Sequence, residues 1–430
     1  MADSGKAGGV EQSEIKDTGW KLRVALAAVL RLVPFFTAMV LMVILWGACG
    51  GGLFPQAAAS SSSTGGTGTP TPGSGSFLYV TNYAAGDVIA YHRNPKTGGI
   101  TSSTVAAAGT VNGPVGLGTA TNGIPYLYVA NSADNAIYQY SINLSSGALT
   151  ALSTSHITAG NDPQWIALTP AGNFAYASNF GTLGSPGTGS ISLYTVGSTT
   201  EGELAPNSPS LITASIVNPA GLTVGTFESS PFLYVTDQGA DDIVSYSINS
   251  TNGSLQATSS LSLGAEGLPG PVILDASGDF IYATDTALGG VYPFQQTASG
   301  LVLISPGFYP SANAGTNASV GLTSVITTSS NEYLFVANEA SNSITEFQVA
   351  NGVGTLTLVT TYTIGNLDDP TGVAAVTDST SGNSYLYATN QGNGTVSIFS
   401  INPGNGALSF LTTVSTGASG NQPMFPLIAY

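Results

Sequence analysis

The stretch Phe77-Leu78-Tyr79-Val80-Thr81-Asn82 is the first of seven short aromatic and β-branched runs that end in Asn or Asp. The other six runs occupy residues 126–131, 174–179, 232–237, 280–285, 333–338 and 385–390. A constant spacing of about fifty residues is typical of a fold in which each repeat is one supersecondary unit. Apolar side chains alternate onto both faces of each run, as in strands that are buried on both sides. The sequence therefore predicts a repeat-built all-β domain.

The composition favours the same class. Only 7% of the 430 residues are charged, and 55 residues are glycine. Ser, Thr and Asn fill the spaces between the apolar runs, which leaves little sequence that could form amphipathic helices. A chain of this length could hold two or three average domains, but one repeat-built β domain also reaches this size.

Each repeat contains three further strand signals. A β-branched residue and an aromatic residue three positions later follow each run, as at Val88 and Tyr91. A turn with Gly just before a small residue and Leu or Ile comes next, as at Gly98, and the fifth repeat departs from this pattern at Gly300. A Pro-led strand, such as residues 163–168, precedes each run after the first. Four strands in each of seven repeats predict a seven-bladed β-propeller of antiparallel blades, with the Pro-led strand innermost.

The two ends of the repeat region complement each other. The first repeat has no Pro-led strand, whereas the chain ends on an unpaired one at residues 423–430. We expect the C-terminal strand to become the inner strand of the N-terminal blade, which closes the ring and removes exposed strand edges.

Charge is distributed unevenly along the chain. Beyond residue 49 there are only two basic residues, Arg93 and Lys96, against nineteen acidic ones. A surface of this sign repels phosphate backbones, so no nucleic-acid partner is expected. The single cysteine, Cys49, excludes an intrachain disulfide and a Cys-based metal cluster.

Residues 1–49 are typical of an export signal. A mildly basic leader precedes an apolar run over residues 32–48, and Cys49 follows directly. This end resembles the bacterial lipoprotein signal, which implies lipidation of Cys49; an uncleaved membrane anchor and simple secretion are the alternatives. Each alternative exports the rest of the chain, and the first two hold it at a membrane, facing the periplasm or the cell surface of a bacterium. Residues 50–76, rich in Ser, Thr, Gly and Pro, are expected to form a disordered linker to the propeller of residues 77–430.

The repeats resemble those of the Tyr-Val-Thr-Asn (YVTN) propellers, and residues 77–430 are similar to the lactonase-type seven-bladed β-propeller family. This family includes 6-phosphogluconolactonase and the carboxymuconate lactonizing enzymes, so the resemblance implies hydrolysis of a lactone. It also implies an active site of His, Arg, a Pro-Arg-His run and Glu. The matched positions carry other groups: Gln164, a position near Ser190, the run 218–221 and Gln238. The family's catalytic side chains are therefore not retained.

The number and position of the basic and imidazole residues indicate the charge of the substrate and the candidate base. An anionic lactone needs Arg or Lys as a charged donor, and Arg93 and Lys96 both lie at the predicted outer hairpin of the first blade. A neutral ligand is therefore expected. We expect His92 and His156 to serve surface or blade packing, which leaves Glu339 as the candidate catalytic base.

Loops after the repeated runs and loops leading into the inner strands are expected to share one face of the propeller. The ligand-binding candidates on this face are Asp162, Gln164, Trp165, Asp237, Gln238, Asn338 and Gln422. Trp165 beside Gln164 offers a stacking surface with an amide, suited to a sugar or a peptide, although core packing of Trp165 is the alternative.

The paired carboxylates Asp241-Asp242 and Asp368-Asp369 are the candidate metal ligands. Ca²⁺ prefers oxygen ligands, but no spaced calcium-loop motif is present, and no other cofactor is expected.

Three functions remain open at this point. The first is a monomeric binding module at the cell envelope, with a small neutral ligand, a glycan or a protein as partner. The second is a lactone hydrolase with a rebuilt site, and the third is a surface-coat protein that self-assembles. Propellers host many functions, so the fold alone does not decide among them.

Overall fold

The structure is a computed structural model. It describes residues 77–110, 113–121, 125–182, 187–197, 202–213, 216–264, 267–311, 319–363, 367–417 and 421–429. The predicted export signal (residues 1–49, with Cys49) and linker (residues 50–76) lie outside the described residues, as does Tyr430.

Seven antiparallel sheets form the blades, and their strands are numbered here in chain order. Blades 1 to 3 contain β1 (Phe77–Asn82), β2 (Asp87–Arg93), β3 (Ile100–Ala107); β4 (Pro114–Thr121), β5 (Pro125–Asn131), β6 (Ala136–Ile142), β7 (Leu149–Thr158); and β8 (Pro163–Leu168), β9 (Phe174–Asn179), β10 (Ser190–Val196), β11 (Leu204–Ile212). Blades 4 and 5 contain β12 (Pro219–Phe227), β13 (Ser230–Asp237), β14 (Asp242–Ile248), β15 (Leu255–Ser262); and β16 (Pro269–Leu274), β17 (Ile281–Asp285), β18 (Gly290–Thr297), β19 (Gly300–Leu303), β20 (Tyr309–Pro310). Blades 6 and 7 contain β21 (Ser319–Ile326), β22 (Glu332–Asn338), β23 (Ser343–Val349), β24 (Leu356–Tyr362); and β25 (Pro370–Thr377), β26 (Ser384–Asn390), β27 (Thr395–Ile401), β28 (Leu408–Ser415). The last strand is β29 (Pro423–Ala429), and one 3₁₀ turn spans Glu339–Ser341.

The predicted seven-bladed β-propeller is confirmed. In blades 2 to 7 the inner strand pairs with the repeated aromatic run, which pairs with the third strand, and the fourth strand is outermost. The inner strands of neighbouring blades also contact one another and close into a ring. No helix in the described part of the chain is long and apolar enough to cross a membrane.

The C-terminal strand β29 closes the ring as predicted. It pairs antiparallel with β1, with Leu78 opposite Ile428 and Tyr79 opposite Leu427. This gives blade 1 the order β29-β1-β2-β3, so its inner strand comes from the opposite end of the chain.

Neighbouring blades are joined by a repeated hydrogen bond from a tyrosine hydroxyl to a glycine carbonyl, which we call the tyrosine lock. The central tyrosine of a repeated run donates its hydroxyl to the carbonyl of a turn glycine in the next blade. Five such bonds are Tyr79 to Gly147 (3.1 Å), Tyr128 to Gly202 (2.6 Å), Tyr176 to Gly253 (2.8 Å), Tyr282 to Gly354 (2.8 Å) and Tyr387 to Gly98 (2.8 Å). These turn glycines have positive φ, such as +71° at Gly253, a conformation that other residues rarely adopt.

Blade 5 is the irregular one. Its inner strand begins at Pro269, two residues before the predicted Pro271, because a bulge between Pro269 and Val272 lengthens the strand at its start. Its outer strand is divided: β19 has only four residues, and the short β20 pairs separately with β18. This is the repeat whose turn departs from the sequence pattern at Gly300.

Candidate functional site at the channel mouth

The mouth is the end of the propeller where the inner strands begin and the repeated runs end, as shown by the pairing of Pro163 with Asn179. At this end, the backbone N–H after each terminal Asn or Asp donates to the carbonyl of the residue before the inner strand. The described pairs are Tyr83 to Gln422, Ser132 to Gly113, Phe180 to Asp162, Gln238 to Asn218, Thr286 to Leu268 and Gln391 to Asp369. This repeated bond fixes two rings of side chains around the axis.

The terminal Asn and Asp residues themselves lie below the mouth. Asp237 is 0% exposed and accepts hydrogen bonds from the backbone N–H groups of Val217 (2.7 Å) and Asn218 (2.8 Å). Asn338 is 2% exposed, accepts a bond from Ser311, and donates to Thr345. Both ligand-binding candidates therefore hold the loops that lead into the inner strands.

Asp162, Gln164 and Gln422 are brought to the mouth together with Tyr83. Gln164 Nε2 donates to Asp162 Oδ1 at 2.6 Å. Asp162 and Gln422 adopt positive φ values of 56° and 50°, which turn the chain into the inner strands. Tyr83 donates its backbone N–H to the Gln422 carbonyl at 3.0 Å within blade 1, and the charge of Asp162 in blade 3 acts on the Tyr83 phenol.

Electrostatics supports this grouping. Burial raises the pKa of Asp162 to about 6, against the opposing effect of the hydrogen bond from Gln164. Burial, and then the nearby charge of Asp162, raises the pKa of the Tyr83 phenol. Sequence reasoning missed Tyr83, although its place directly after Asn82 matches that of the candidate Gln238 after Asp237.

Trp165 directly follows Gln164 in β8. It is 1% exposed, and its ring centroid lies 5.5 Å from that of Phe425 in the closing strand. A side chain on Gly116, in the blade between them, would lie 2.3 Å from the Gln164 carbonyl oxygen, so glycine is needed for this close approach. Trp165 is thus packed as inner-strand core, while its buried Nε1 has no hydrogen-bond partner within the described residues.

Amides line other parts of the mouth. Gln238 and Gln391, 7% and 6% exposed, occupy equivalent positions after the runs of blades 4 and 7. Gln238 Nε2 contacts Thr286 Oγ1 at 3.5 Å, and Gln391 Nε2 contacts the Met424 sulfur at 3.2 Å. The 3.5 Å contact is a weak partner for an amide donor, so the Gln238 side chain could hydrogen-bond a ligand.

The comparisons with known proteins agree on the architecture. Residues 272–423 match the family model described as "Lactonase, 7-bladed beta-propeller". The described residues form a seven-bladed propeller, of which residues 272–423 match this family model. One similar solved structure is a candidate 6-phosphogluconolactonase from Bacteroides uniformis, at 18% identity and a TM-score of 0.65, covering 83% of this chain and 99% of that one. Another is the periplasmic gluconolactonase of Pseudomonas aeruginosa, at 20% identity and a TM-score of 0.65, covering 82% and 99%. No curated protein matches the sequence.

Glu339 follows the run of blade 6, at the position that Tyr83, Gln238 and Gln391 occupy in their blades. It is partly exposed and begins the 3₁₀ turn Glu339–Ser341. The catalytic candidate therefore belongs to the ring of residues at the mouth.

The two aspartate pairs lie where loops of blades 4 and 7 enter strands: Asp242 begins β14, and Asp369 directly precedes β25. Burial, followed by the charges of Asp285 and Asp237, raises the pKa of Asp241, and burial raises that of Asp242 to about 6. Burial and then the charge of Asp368 raise the pKa of Asp369. Among the described residues, no group of three or more His, Cys, Asp or Glu side chains could hold a metal ion.

The basic and imidazole side chains lie elsewhere on this propeller. Arg93 is 1% exposed and pairs with Asp378 of blade 7 at 3.2 Å, while Lys96 is exposed in the outer hairpin. His92 and His156 are exposed, on the third and fourth strands of their blades. His156 stacks on Tyr138 with ring centroids 5.2 Å apart.

Proposed function

We propose that the protein is a binding module whose mouth takes a neutral, hydroxyl-rich ligand, with a glycan as the most suitable class. The observation that carries this proposal is the hydrogen-bonded pair of Asp162 and Gln164 beside Tyr83. The carboxylate accepts hydrogen bonds and the amide both accepts and donates them, which matches hydroxyl groups that do both. The face of an aromatic ring such as Tyr83 suits the apolar face of a sugar.

Charge disfavours anionic ligands at this site. The mouth carries Asp162, Asp369 and Glu339, whereas the repeat region has only Arg93 and Lys96 as cations. Arg93 forms an ion pair with Asp378, which joins blades 1 and 7. A phosphorylated or carboxylated sugar would meet like charge and no charged donor, so it should bind more weakly than its neutral counterpart.

Isothermal titration of the full chain with cellotriose, chitotriose and glucose 6-phosphate tests this proposal. We expect saturable binding of at least one neutral trisaccharide, and none of glucose 6-phosphate at the same concentrations. Gln164→Leu should weaken the binding about tenfold, since it removes a hydrogen-bonding group and its bond to Asp162. Gln348→Leu, an exposed residue on β23, is the matched control and should bind like the wild type. Equal binding by the Gln164 and Gln348 variants would place the ligand elsewhere.

We further propose that lipidation at Cys49 holds the propeller at the cell envelope. The basic leader and the apolar run at residues 32–48 support export. The P. aeruginosa gluconolactonase, which shares the fold, is described as periplasmic. Labelled palmitate should be incorporated into the wild type and not into Cys49→Ser, whereas an uncleaved anchor would give no labelling of either protein.

A second candidate, hydrolysis of a neutral lactone, is favoured by Asp162. Its pKa of about 6 suits a general base at neutral pH, and it lies beside Gln164, at the position matched to the family's His. Asp162 would take a proton from water as the water oxygen attacks the lactone carbonyl. The ring C–O bond then breaks, and the released oxygen receives the proton. Asp162→Asn should abolish turnover of glucono-1,5-lactone above the spontaneous rate, and Glu339→Gln should retain it. The reverse result would assign the base to Glu339, and no turnover by the wild type would exclude the activity for this lactone.

A further inference from the structure

Asn135, in the loop between β5 and β6 of blade 2, holds the segment that carries Asp162. It is exposed and adopts a left-handed backbone conformation, with a φ of 53°. Its side-chain Oδ1 accepts the backbone N–H of Asp162 at 2.7 Å, and its backbone carbonyl accepts the N–H of Ala159 at 2.8 Å. One residue of blade 2 therefore binds both ends of residues 159–162, which lead into the inner strand of blade 3.

The backbone of Asp162 is held from both sides. Its N–H donates to Asn135, and its carbonyl accepts the N–H of Phe180 at 2.8 Å within blade 3. Its φ of 56° lies in the left-handed region, which costs free energy for a residue with a side chain and persists where the surroundings fix it. The fixed backbone sets the direction of the Asp162 side chain, whose Oδ1 accepts the hydrogen bond from Gln164 Nε2 at 2.6 Å.

Blades 6 and 7 contain the same arrangement without the side-chain amide. Asn342 has a φ of 48°, and its Oδ1 accepts the backbone N–H of Asp369 at 2.7 Å. Asp369 has a φ of 49°, and its carbonyl accepts the N–H of Gln391 at 3.0 Å. The residue two positions after Asp369 is Thr371, whose hydroxyl donates to the Pro423 carbonyl at 3.0 Å. Of these two Asn–Asp bonds, the one in blade 3 is thus the one joined to a glutamine.

We propose that Asn135 is a positioning residue, which presents Asp162 and Gln164 to a ligand at the mouth without contacting that ligand itself. This inference rests on the proposed binding of a neutral, hydroxyl-rich ligand at the Asp162–Gln164 pair. Without the bonds from Asn135, residues 159–162 would adopt several conformations, and a fraction of the molecules would present the pair correctly. Because the apparent affinity falls with that fraction, loss of the Asn135 side chain should weaken binding although no ligand contact is removed.

Asn135→Gly tests the proposal, since glycine adopts the left-handed conformation freely and lacks the accepting oxygen. In isothermal titration of the full chain with cellotriose and chitotriose, this variant should bind about tenfold more weakly than the wild type, as for the loss of one hydrogen bond. Asn135→Asp keeps an accepting oxygen and should recover most of the affinity. Asn342→Gly makes the same change at the equivalent bond to Asp369 and is the control, with an affinity like that of the wild type.

A second measurement does not depend on the ligand. NMR of the Asp162 carboxyl carbon, assigned by its absence in Asp162→Asn, follows the pKa that burial raises to about 6. Asn135→Gly should lower this pKa towards the ordinary aspartate value, because water reaches a less firmly held carboxylate, and Asn342→Gly should leave it unchanged.

Full affinity in Asn135→Gly, an equal loss of affinity in Asn342→Gly, or an unchanged pKa of Asp162 in Asn135→Gly would each overturn the proposal. Binding of neither trisaccharide by the wild type would contradict the proposed function instead, and the pKa of Asp162 in the two glycine variants would then decide the role of Asn135.

Discussion

The tyrosine lock between blades predicts that a Tyr→Phe substitution destabilises the protein at Tyr176, where the bond is made, and has little effect at Tyr234, where it is not. Tyr176 donates its hydroxyl to the Gly253 carbonyl at 2.8 Å, and the bond is buried. Tyr176→Phe removes this bond and leaves a buried carbonyl oxygen without a partner. The expected loss in the free energy of unfolding is about 1–3 kcal/mol. Tyr234→Phe removes a hydroxyl from an equally buried tyrosine that makes no such bond, so its loss should be below about 0.5 kcal/mol.

Urea denaturation followed by far-UV circular dichroism measures both differences at one pH. Tyr128→Phe is a second member of the locked group and should behave like Tyr176→Phe, since Tyr128 donates to Gly202 at 2.6 Å. Equal losses for Tyr176→Phe and Tyr234→Phe would refute the reasoning, because both rings would then contribute through their apolar surfaces alone.

Three further predictions concern the stability of the ring. Deleting residues 421–430 should abolish cooperative thermal unfolding, since β29 is the inner strand of blade 1; an unchanged transition would contradict closure. Arg93→Met should lower the free energy of unfolding by about 3 kcal/mol by leaving Asp378 buried and unpaired, whereas Lys96→Met should change it little. Burial and then the charge of Asp275 raise the pKa of Glu332 from 4.5 to about 7, so this residue's contribution is most favourable below pH 4.5 and is lost as the pH rises towards 7. Glu332→Gln should therefore raise the free energy of unfolding by up to about 3 kcal/mol at pH 8 and little at pH 4 in urea titrations, and an equal effect at both pH values would argue against this.

Most of the architecture could be predicted from the sequence because the same pattern of strands and turns recurs in seven repeats. The runs such as residues 77–82 specify strands buried on both sides, and the unmatched ends of the repeat region specify closure. The start of blade 5 was less clear, because Pro269 and Pro271 both precede an apolar segment and only the bulge decides between them. The Arg93–Asp378 pair joins residues 285 positions apart, which no local pattern can indicate.

The sequence predicts where the candidate site residues lie better than it predicts what each of them does. Asp162, Gln164, Gln238 and Gln422 lie at the mouth because the repeat places their loops on one face. The roles of Asp237 and Asn338 depend on hydrogen bonds to residues in the loops that lead into the inner strands. No local sequence pattern indicates those partners. Trp165 is core because Gly116 in the next blade lets the inner strands approach closely.

The most direct test of neutral-ligand binding at the mouth uses the fluorescence of Trp165, the only tryptophan in the repeat region. In the full chain with Trp20→Phe and Trp46→Phe, Trp165 is the single tryptophan, which can be excited selectively over the tyrosines, and it directly follows Gln164 in the chain. We predict a saturable change in its emission on titration with cellotriose or chitotriose, and no saturable change with glucose 6-phosphate. A saturable response to glucose 6-phosphate without one to the neutral sugars would contradict the account.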